Sequence, residues 1–492
     1  MYNIDRIIIY GGHRMSLQEK PNDNGRTAQK TLDPALREII SAQREFFATG
    51  KTRDVTFRRG LLKNLRFMIR DNEGLILEAL RADLGKSFSE GYLTEIGMVE
   101  QEINHTLRYL KTWTSPKTTA TPYFLWPASS RKLSHPRGLV MIFSPWNYPF
   151  LLTMQPLISS IAAGNCTILK LSEHSPHTTK LLCYLIDKYF DREYIAAYTD
   201  SFEAVKAIRY EPFGMVFYTG GPTVARIISK AAATQLTPVV MELGGKSPCI
   251  IDKTANLKLA AKRIVAGKLI NSGQTCVAPD YLYIDSGVKE EFLGYVKDYH
   301  DKFCSLSPCE NKFYPKIINR MHFERLRKYL DDGEIIFGGD VSAENCRIGL
   351  TLMQNIKKDS KLMTEEIFGP ILPVFEFNDI NIVINTLRKR PKPLALYLFT
   401  KSRETRDMVL ENLDFGCGCI NDTVMQLANP HLPFGGVGES GFGRYHGKAG
   451  FDTFSNESSV LMSSPRIDLN PLRYPPYDDN YGLAKIMLRY FI

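Results

Sequence analysis

The chain has 492 residues, of which 44% are hydrophobic and 23% are charged. This composition supplies enough apolar side chains for sizeable cores, so it excludes a wholly disordered protein. The 62 basic and 53 acidic side chains leave a net charge of +9, which over this length gives solubility and only a mild attraction to anions. Charge therefore offers no argument for nucleic acid as a partner, and we expect none.

Nine cysteines are scattered along the chain without a Cys-x-x-Cys pair. An odd number of thiols in a long chain favours a reducing compartment over a disulfide framework. The sequence has neither the apolar core of a signal peptide nor the roughly 18 uninterrupted apolar residues that a spanning helix needs. These features predict a cytoplasmic protein, and they leave open whether Met1 or Met15 is the true start.

The first structured element is predicted shortly after a polar leader, residues 1–33, which contains a Pro-Asn-Asp-Asn-Gly cluster. Asp33 and Pro34 form a helix start, because Asp caps the first free N–H groups and Pro suits the first helical position. Apolar side chains at helical spacing follow in three stretches, residues 36–47, 59–84 and 94–113.

After Pro116 a Thr-rich and aromatic segment predicts a strand or hairpin arm. Continuous apolar runs then alternate with helical patterns, which is typical of a parallel sheet covered by helices on both faces. The pattern changes over near residue 243, so we expect two α/β halves. The predicted strands are residues 138–143, 166–171, 214–218 and 238–243 in the first half, and residues 250–251, 281–284, 334–337, 372–375, 394–399 and 419–421 in the second.

The nearest approach to a dinucleotide-binding turn is Thr219-Gly220-Gly221, between a predicted strand and a predicted helix. Glycines let the backbone approach a phosphate, and the N-terminus of a helix attracts an anion. No Gly-x-Gly-x-x-Gly follows any predicted strand, and on these three residues alone an ordinary tight turn is the better explanation.

Three residues at element ends could together supply a nucleophile, an oxyanion donor and a general base for a carbonyl compound. Cys276 ends a Gly-containing turn after a predicted helix, and a thiolate is a strong nucleophile toward carbonyl carbon. Asn147, just past a predicted strand, could stabilise an oxyanion, and Glu242, if buried, could act as a general base. Taken singly they could be a buried small side chain, a turn residue and a surface ion.

Five motifs in register make the sequence resemble the aldehyde dehydrogenase superfamily over residues 34–476. Residues 242–248, Glu-Leu-Gly-Gly-Lys-Ser-Pro, resemble the family's glutamate signature, and residues 273–276, Gly-Gln-Thr-Cys, resemble its cysteine signature. The other three are residues 145–147, 366–370 and 433–436. The sequence also resembles the class 3 branch of this superfamily, which handles fatty, medium-chain and aromatic aldehydes. This resemblance lies at residues 236–242, 247–249, 278–281, 431–434 and 473–477.

The resemblance implies an α/β fold with a Rossmann-like NAD-binding domain, a second α/β domain that carries the catalytic thiol, and a small β oligomerisation arm. It also implies a homodimer. The expected division assigns residues 34–115 and 137–242 to the NAD(P)-binding domain, 243–425 to the catalytic domain, and 116–136 with 444–492 to the arm and C-terminal tail.

The implied reaction is NAD(P)-dependent oxidation of an aldehyde to the carboxylic acid. Cys276 would attack the aldehyde to form a thiohemiacetal, with the oxyanion held by the Asn147 amide and the Cys276 backbone N–H. Hydride transfer to the nicotinamide would leave a thioester, and Glu242 would activate the water that hydrolyses it. Two alternatives stay open, namely a dehydrogenase that passes the thioester to coenzyme A and a non-catalytic binding protein.

By the same resemblance, NAD or NADP would be held by several residues. Lys170 and Glu173 match those that bond the adenosine ribose, Glu366 the one that holds the nicotinamide ribose, and Phe368 the ring beside the nicotinamide. Glu173 would favour NAD through charge repulsion of a 2′-phosphate. The chain departs from the family's usual residues at Leu171, at the turn of Thr219, Gly220 and Gly221, and at Pro222 and Ala225.

Tyr148 and Phe434 are expected to line the aldehyde channel, although Tyr148 could also be a plain core aromatic. The apolar residues of the last segment, 481–492, could pack on a partner subunit or touch a membrane surface, since twelve residues cannot span a bilayer. No metal is expected, because His174 and His177 lack a plausible third ligand.

Overall fold

The computed structural model describes Ile8–Tyr10, His13–Met15, 32–304, 307–468, 474–475 and 481–490. Most of the predicted leader, including Met1, and the last two residues of the tail lie outside these ranges. The predicted cap is present, because the Asp33 carboxylate accepts a hydrogen bond from the backbone N–H of Ala35 at 3.3 Å, with Pro34 in the first helical turn. This helix ends before Gly50, whose φ of 75° is in the left-handed region.

The helices follow the predicted stretches closely, with the stretch 59–84 divided into two helices at Asn72. They are α1 (Pro34–Ala48), α2 (Val55–Asp71), α3 (Glu73–Leu84), α4 (Phe88–Gly91), α5 (Gly97–Thr114), α6 (Leu151–Ala163), α7 (Pro176–Tyr189), α8 (Ser201–Tyr210), α9 (Pro222–Ala233), α10 (Leu257–Leu269), α11 (Lys289–Phe303), α12 (Arg320–Tyr329), α13 (Ile380–Arg388), α14 (Arg403–Asn412), α15 (Gly447–Thr453) and α16 (Tyr481–Tyr490).

The strands include every predicted run and several short additional ones. They are β1 (Ile8–Tyr10), β2 (His13–Met15), β3 (Lys117–Thr119), β4 (Ser129–Pro136), β5 (Leu139–Phe143), β6 (Cys166–Lys170), β7 (Ile195–Tyr198), β8 (Met215–Gly220), β9 (Val239–Leu243), β10 (Pro248–Ile251), β11 (Tyr281–Asp285), β12 (Glu334–Phe337), β13 (Val341–Ser342), β14 (Arg347–Ile348), β15 (Thr351–Gln354), β16 (Ile371–Phe377), β17 (Ala395–Phe399), β18 (Cys417–Ile420), β19 (Gly441–Phe442) and β20 (Ser455–Met462).

A six-stranded sheet, ordered β19-β9-β8-β5-β6-β7, forms the first half of the fold, and only β19 is antiparallel. Every residue of β5 and β6 is buried, which explains the continuous apolar sequence of β5, while β6 also carries Thr167 and Lys170. The chain order of the parallel strands reverses between β5 and β8. In doubly wound sheets ligands bind at the carboxyl ends of the strands at such a switch point, so the residues that follow β5, β6 and β8 occupy the expected ligand edge.

A seven-stranded sheet, ordered β12-β15-β16-β11-β10-β17-β18, forms the second half, and its strands are parallel except for the β12–β15 pair. The first sheet's strand β9 ends at Leu243, and β10 of the second sheet begins at Pro248. The turn between them is the glutamate signature, which therefore joins the two halves.

A three-stranded antiparallel sheet, β20-β4-β3, joins two segments that are far apart in sequence. Strand β20 pairs with β4 along its whole length, from Ser455 opposite Pro136 to Met462 opposite Ser129. The fold is thus mixed α/β with a small separate antiparallel sheet. Across the part of the chain that the structure describes, no helix is both long and apolar enough to cross a membrane.

Candidate active site

The turn before Cys276 has an unusual backbone. After α10, the residues Asn271, Ser272 and Gly273 all have positive φ, at 51°, 51° and 69°. A Cβ atom on Gly273 would lie 2.4 Å from the carbonyl oxygen of Gly369, so no larger residue fits there. Left-handed conformations at non-glycine residues are costly and cluster at functional sites. Here they reverse the chain tightly and present Cys276.

Hydrogen bonds from distant segments hold this turn in place. The backbone N–H of Asn271 donates to the Glu90 carboxylate at 2.7 Å. The side chain of Gln274 donates to the carbonyl oxygen of Lys316 at 3.0 Å and accepts from the backbone N–H of Ile318 at 3.0 Å. Because these partners lie on two separate segments, the turn of residues 271–276, here called the thiol turn, forms only in the folded protein.

The loop after β5 places Asn147 and Tyr148 directly against the thiol turn. The Asn147 amide donates to the backbone carbonyl of Gln274 at 3.1 Å, and the oxygens of Tyr148 and Thr275 lie 2.6 Å apart. Two consecutive residues of one loop thus bond the two consecutive residues that precede Cys276. Asn147 is almost fully buried, at 4% exposure, so its amide works in a shielded site.

The Cys276 thiol is partly exposed and unpaired, and it is the centre of an acidic neighbourhood. Its pKa is raised above the ordinary value, first by burial and then by the nearby carboxylate of Glu366. The free thiol is therefore protonated at neutral pH, and a nearby base has to remove its proton before it can act as a nucleophile.

Glu242, near the end of β9, is 3% exposed, and neither oxygen of its carboxylate has a hydrogen-bond partner among the described residues. Burial raises its pKa well above the usual range, and the guanidinium of Arg444 partly opposes this shift. A Cβ atom on Gly435 would lie 3.0 Å from Glu242 Oε1, so the segment of residues 433–436 faces the carboxylate. A raised pKa makes the deprotonated carboxylate a stronger proton acceptor, which is what a general base requires.

Lys170 and Glu173 meet at the carboxyl end of β6. Lys170 is 4% exposed, and its Nζ lies 2.7 Å from Glu173 Oε1, which also accepts a hydrogen bond from the Ser201 hydroxyl. The Glu173 side chain keeps 51% of its surface exposed at the ligand edge. This arrangement offers one anchored ammonium and one accessible carboxylate, which suit the hydroxyls of a ribose.

The turn at Thr219, Gly220 and Gly221 fits the phosphates of a dinucleotide. Within the part of the chain that the structure describes, the Thr219 hydroxyl is buried without a hydrogen-bond partner, and nothing lies within 4 Å of a Cβ atom added to Gly221. Gly221 caps the twelve-residue helix α9, whose N-terminus favours an anion. Pro222 in the first turn of α9 has no backbone N–H, so one possible donor to a phosphate is missing. An N–H at this position would have no partner within the helix, so α9 itself loses no hydrogen bond.

Glu366 and Phe368 approach the site from the second half of the fold. The pKa of Glu366 is raised to about 8, first by burial and then by the charge of Asp280. A Cβ atom on Gly244 would lie 1.9 Å from Glu366 Oε2, so the carboxylate rests on the glycine turn after β9. Phe368 has a positive φ of 50° and meets the ring of Trp146 edge-on at 5.3 Å.

The two predicted channel residues differ in their surroundings. Tyr148 is 7% exposed and touches the thiol turn through Thr275. Phe434 is 6% exposed, and its ring stacks on His446 at 5.3 Å and meets the ring of Tyr445 at 5.7 Å. The structure thus brings Tyr148 to the thiol turn, whereas the ring contacts of Phe434 lie on residues 445–446.

Several residues of this site were missed by the sequence reasoning. They are charged or thiol side chains on segments that carry no motif, and each acts through a long-range contact: Lys86, Glu90, Glu95, Cys417 and Arg444. Only the alternation Gly-Cys-Gly-Cys at residues 416–419 is a visible signal, and it does not indicate which thiol faces Cys276.

The sequence profile of the Aldehyde dehydrogenase family matches residues 23–460. The chain is 42% identical over 446 residues to the 4,4'-diaponeurosporen-aldehyde dehydrogenase of Staphylococcus aureus, covering 90% of this chain and 97% of that protein. It is 39% identical to aldehyde dehydrogenase family 3 member H1 of Arabidopsis thaliana, covering 89% and 92% of the two chains.

The fold agrees with the sequence comparison. A solved structure of the substrate-bound state of Staphylococcus aureus AldH superposes with a TM-score of 0.90 at 41% identity, covering 92% of this chain and 99% of that chain. A structure of PutA from Anabaena variabilis, at 23% identity and a TM-score of 0.81, shows the same fold. The chain therefore belongs to the aldehyde dehydrogenase family and oxidises aldehydes to carboxylic acids with NAD or NADP.

Proposed function

We propose that Cys276 is the nucleophile, that Asn147 and the Cys276 backbone N–H bind the oxyanion, and that Glu242 is the general base. One observation carries this assignment: the paired contacts of Asn147 with Gln274 and of Tyr148 with Thr275 hold a buried amide beside the thiol. Removing one such oxyanion donor costs on the order of 10²–10³ in rate.

Each residue acts at a defined stage. A base accepts the Cys276 proton, and the thiolate then adds to the aldehyde carbon, while the Asn147 amide stabilises the negative oxygen of the thiohemiacetal. The chemistry that the dinucleotide supplies when bound is acceptance of a hydride ion. Glu242, unpaired and buried, then takes a proton from the water that attacks the thioester, and Cys276 leaves as thiolate.

We propose that Lys170, Glu173 and the turn of residues 219–221 hold the adenosine and phosphate groups, and that Glu366 and Phe368 hold the nicotinamide end. The buried, unpaired Thr219 hydroxyl and the open space beside Gly221 support the phosphate site. The accessible carboxylate of Glu173 favours a free ribose 2′-hydroxyl, hence NAD over NADP. Initial rates with both cofactors, in the wild type and in Glu173→Gln, measure this preference.

We propose medium- or long-chain aliphatic or aromatic aldehydes as substrates. Support comes from the aromatic side chains near the thiol turn and from the similarity to the family 3 relatives. A panel from acetaldehyde to decanal and benzaldehyde tests the proposal. The ratio kcat/KM is expected to rise with apolar surface, and a preference for small polar aldehydes would contradict it.

We propose that the thioester on Cys276 is hydrolysed by water and that its acyl group is not transferred to coenzyme A. A base beside the thiol is needed for hydrolysis and not for thiol exchange, so the buried Glu242 supports hydrolysis. Product analysis with and without coenzyme A decides between the two, because only the hydrolytic enzyme yields the free acid in both.

The central test is NADH formation with hexanal or benzaldehyde by the wild type and by Cys276→Ala. We expect loss of activity in the variant with unchanged folding. Equal rates in both proteins would overturn the role of Cys276, and no activity in either would favour a binding protein.

For domain organisation we propose the division expected from sequence, with residues 34–115 and 137–242 binding the cofactor and 243–425 carrying the thiol. We further propose a homodimer assembled through the arm, because β20 pairs on one side only among the described strands and exposes Val460, Leu461 and Met462. Size-exclusion chromatography coupled to light scattering measures the mass of the assembly.

We propose a reducing, cytoplasmic location, which the nine free thiols support. Cell fractionation tests this proposal.

For the C-terminal segment, residues 481–492, we propose two alternative roles, packing on a partner subunit and contact with a membrane surface. Helix α16 exposes Tyr481, Lys485, Ile486 and Arg489, while the side chains of its other apolar residues and the last two residues lie outside the described part. Packing on a partner subunit and contact with a membrane surface are separated by flotation of the purified protein with liposomes, in the full chain and in a chain that ends before Tyr481.

A further inference from the structure

A buried ion pair lies behind the loop that carries Asn147. The side chains of Lys86 and Glu95 are both 0% exposed, and the Lys86 Nζ lies 2.6 Å from Glu95 Oε1. Removing two charges from water costs several kcal/mol per ion, so a buried pair is weak evidence for stability alone. A role for this pair has to come from the groups that it contacts.

The local structure on both sides of the pair is irregular. Lys86 follows Gly85, which ends α3 with a φ of 71°, and Glu95 lies in the π-helical turn Tyr92–Ile96 between α4 and α5. A π-helical turn widens the helix, occurs mostly as a single turn and is frequent at functional sites. These two features place the ammonium and the carboxylate face to face in the interior.

The pair contacts four residues of the loop, within residues 147–151. Lys86 Nζ lies 3.4 Å from the carbonyl oxygen of Asn147 and 3.9 Å from the centroid of the Tyr148 ring. The second oxygen of Glu95 accepts hydrogen bonds from the backbone N–H groups of Phe150 at 2.9 Å and Leu151 at 3.1 Å. These N–H groups begin α6 and have no partner within the helix.

The thiol turn is hydrogen-bonded to the same carbonyl oxygen of Asn147 that Lys86 contacts. The side-chain amide of Asn271 donates to the Asn147 carbonyl oxygen at 2.8 Å, and the backbone N–H of Asn271 donates to Glu90. The Asn147 carbonyl therefore accepts from both Lys86 and Asn271. One short segment, residues 86–95, holds both the loop and the thiol turn that faces it.

We infer that the Lys86–Glu95 ion pair is a positioning device that aims the Asn147 amide at the oxyanion and keeps the Tyr148 ring against the thiol turn. The inference rests on the proposed oxyanion role of Asn147. Neither Lys86 nor Glu95 touches a reacting atom. Both act through the loop backbone, since displacement of a reacting group by about 1 Å can cost 10²-fold in rate.

The test removes both charges while keeping the shape. In Lys86→Met/Glu95→Gln, the glutamine oxygen still accepts from Phe150 and Leu151, and no unpaired charge is left buried. We expect a melting temperature near that of the wild type, an unchanged KM for the cofactor and a kcat lower by about 10- to 100-fold. A wild-type kcat in this variant would overturn the inference.

A matched control breaks an ion pair away from the site. Lys289 is 9% exposed, and its Nζ lies 2.7 Å from Glu376 Oε1 on β16. Lys289→Met/Glu376→Gln is expected to keep wild-type kcat. A fall of kcat equal to that of the first double variant would mean that any lost ion pair slows the enzyme, and the inference would fail.

A double-mutant cycle shows whether the pair acts through Asn147. Adding Lys86→Met/Glu95→Gln to Asn147→Ala is expected to lower kcat no further than Asn147→Ala alone. An additional loss of the full factor would contradict action through Asn147. A wild-type kcat for Asn147→Ala would overturn the proposed role of Asn147 itself, and with it the inference.

A second variant covers the case in which the double variant does not fold. Lys86→Met alone removes the ammonium, while the Glu95 carboxylate keeps its hydrogen bonds from the backbone N–H groups of Phe150 and Leu151. We expect a lower kcat with unchanged cofactor KM. An unchanged kcat in folded Lys86→Met would count against the inference.

Discussion

The phenolic oxygen of Tyr148 lies 2.6 Å from the hydroxyl oxygen of Thr275, and both side chains are buried. This contact, beside the bond between Asn147 and Gln274, joins the loop after β5 to the turn that presents Cys276. The two segments come from different halves of the fold. The contact between these two segments brings the Cys276 thiol and the Asn147 amide into one site.

Tyr148→Phe removes one partner of this hydrogen bond and leaves the Thr275 hydroxyl buried without it. A buried unsatisfied hydroxyl costs about 1–3 kcal/mol, so we expect a lower free energy of unfolding and a lower kcat. Denaturant unfolding and steady-state kinetics measure both. The double variant Tyr148→Phe/Thr275→Val is expected to regain stability, because replacing both partners leaves no orphaned group. A double variant as unstable as the single one would refute this explanation.

Arg444→Met is expected to shift the pH dependence of the reaction. Burial raises the Glu242 pKa, and Arg444 opposes that shift, so loss of the guanidinium raises the pKa further. A general base works when deprotonated, hence the acidic limb of the kcat profile moves to higher pH.

The profile of kcat from pH 5 to pH 10 checks the direction of this shift. Arg347→Met is the control. Like Arg444, Arg347 donates to backbone carbonyl oxygens, but it lies on β14. An acidic limb that stays in place, or moves to lower pH, in Arg444→Met would show that Arg444 does not set the protonation of Glu242.

Gly244→Ala is expected to displace Glu366. A Cβ atom at this position would lie 1.9 Å from Glu366 Oε2, far inside any real contact, so the carboxylate must move. We expect a raised KM for the cofactor with a smaller effect on the KM for the aldehyde. Gly294→Ala on α11 is the control, since nothing lies within 4 Å of the added atom. An unaltered cofactor KM in Gly244→Ala would argue against Glu366 as a cofactor residue.

Glu102 makes the stability of the fold depend on pH. Burial raises its pKa from 4.5 to about 7, against the hydrogen bond from the Gly447 backbone N–H at 2.8 Å. The folded protein therefore binds a proton between these values that the unfolded chain has released. Stability falls as the pH rises from about 4.5 to about 7, by about 3 kcal/mol from this group, and is level above that.

Glu102→Gln keeps an acceptor for Gly447 and abolishes the titration. We expect its free energy of unfolding to vary less between pH 5 and pH 8 than that of the wild type, as measured by denaturant unfolding at the two pH values. The same difference between the two pH values in both proteins would exclude Glu102 as the cause.

Local signals predicted much of the fold correctly. Asp33 and Pro34 marked the start of α1, and the buried strand β5 appeared as a continuous apolar run. Strand β7, Ile-Ala-Ala-Tyr, was missed because four residues with two alanines have little strand propensity, and its pairing with β6 decides its conformation.

The sequence by itself determined the family, the reaction class and the identity of Cys276, Glu242 and Asn147 as candidates, because these residues lie in contiguous motifs. Only the tertiary structure decided that Asn147 bonds a carbonyl 127 positions away and that Glu242 is buried without a partner. It also decided that Lys86 and Glu95 are an interior pair rather than surface charges. Burial and long-range hydrogen bonds depend on how distant segments pack, and no local pattern of residues records that packing.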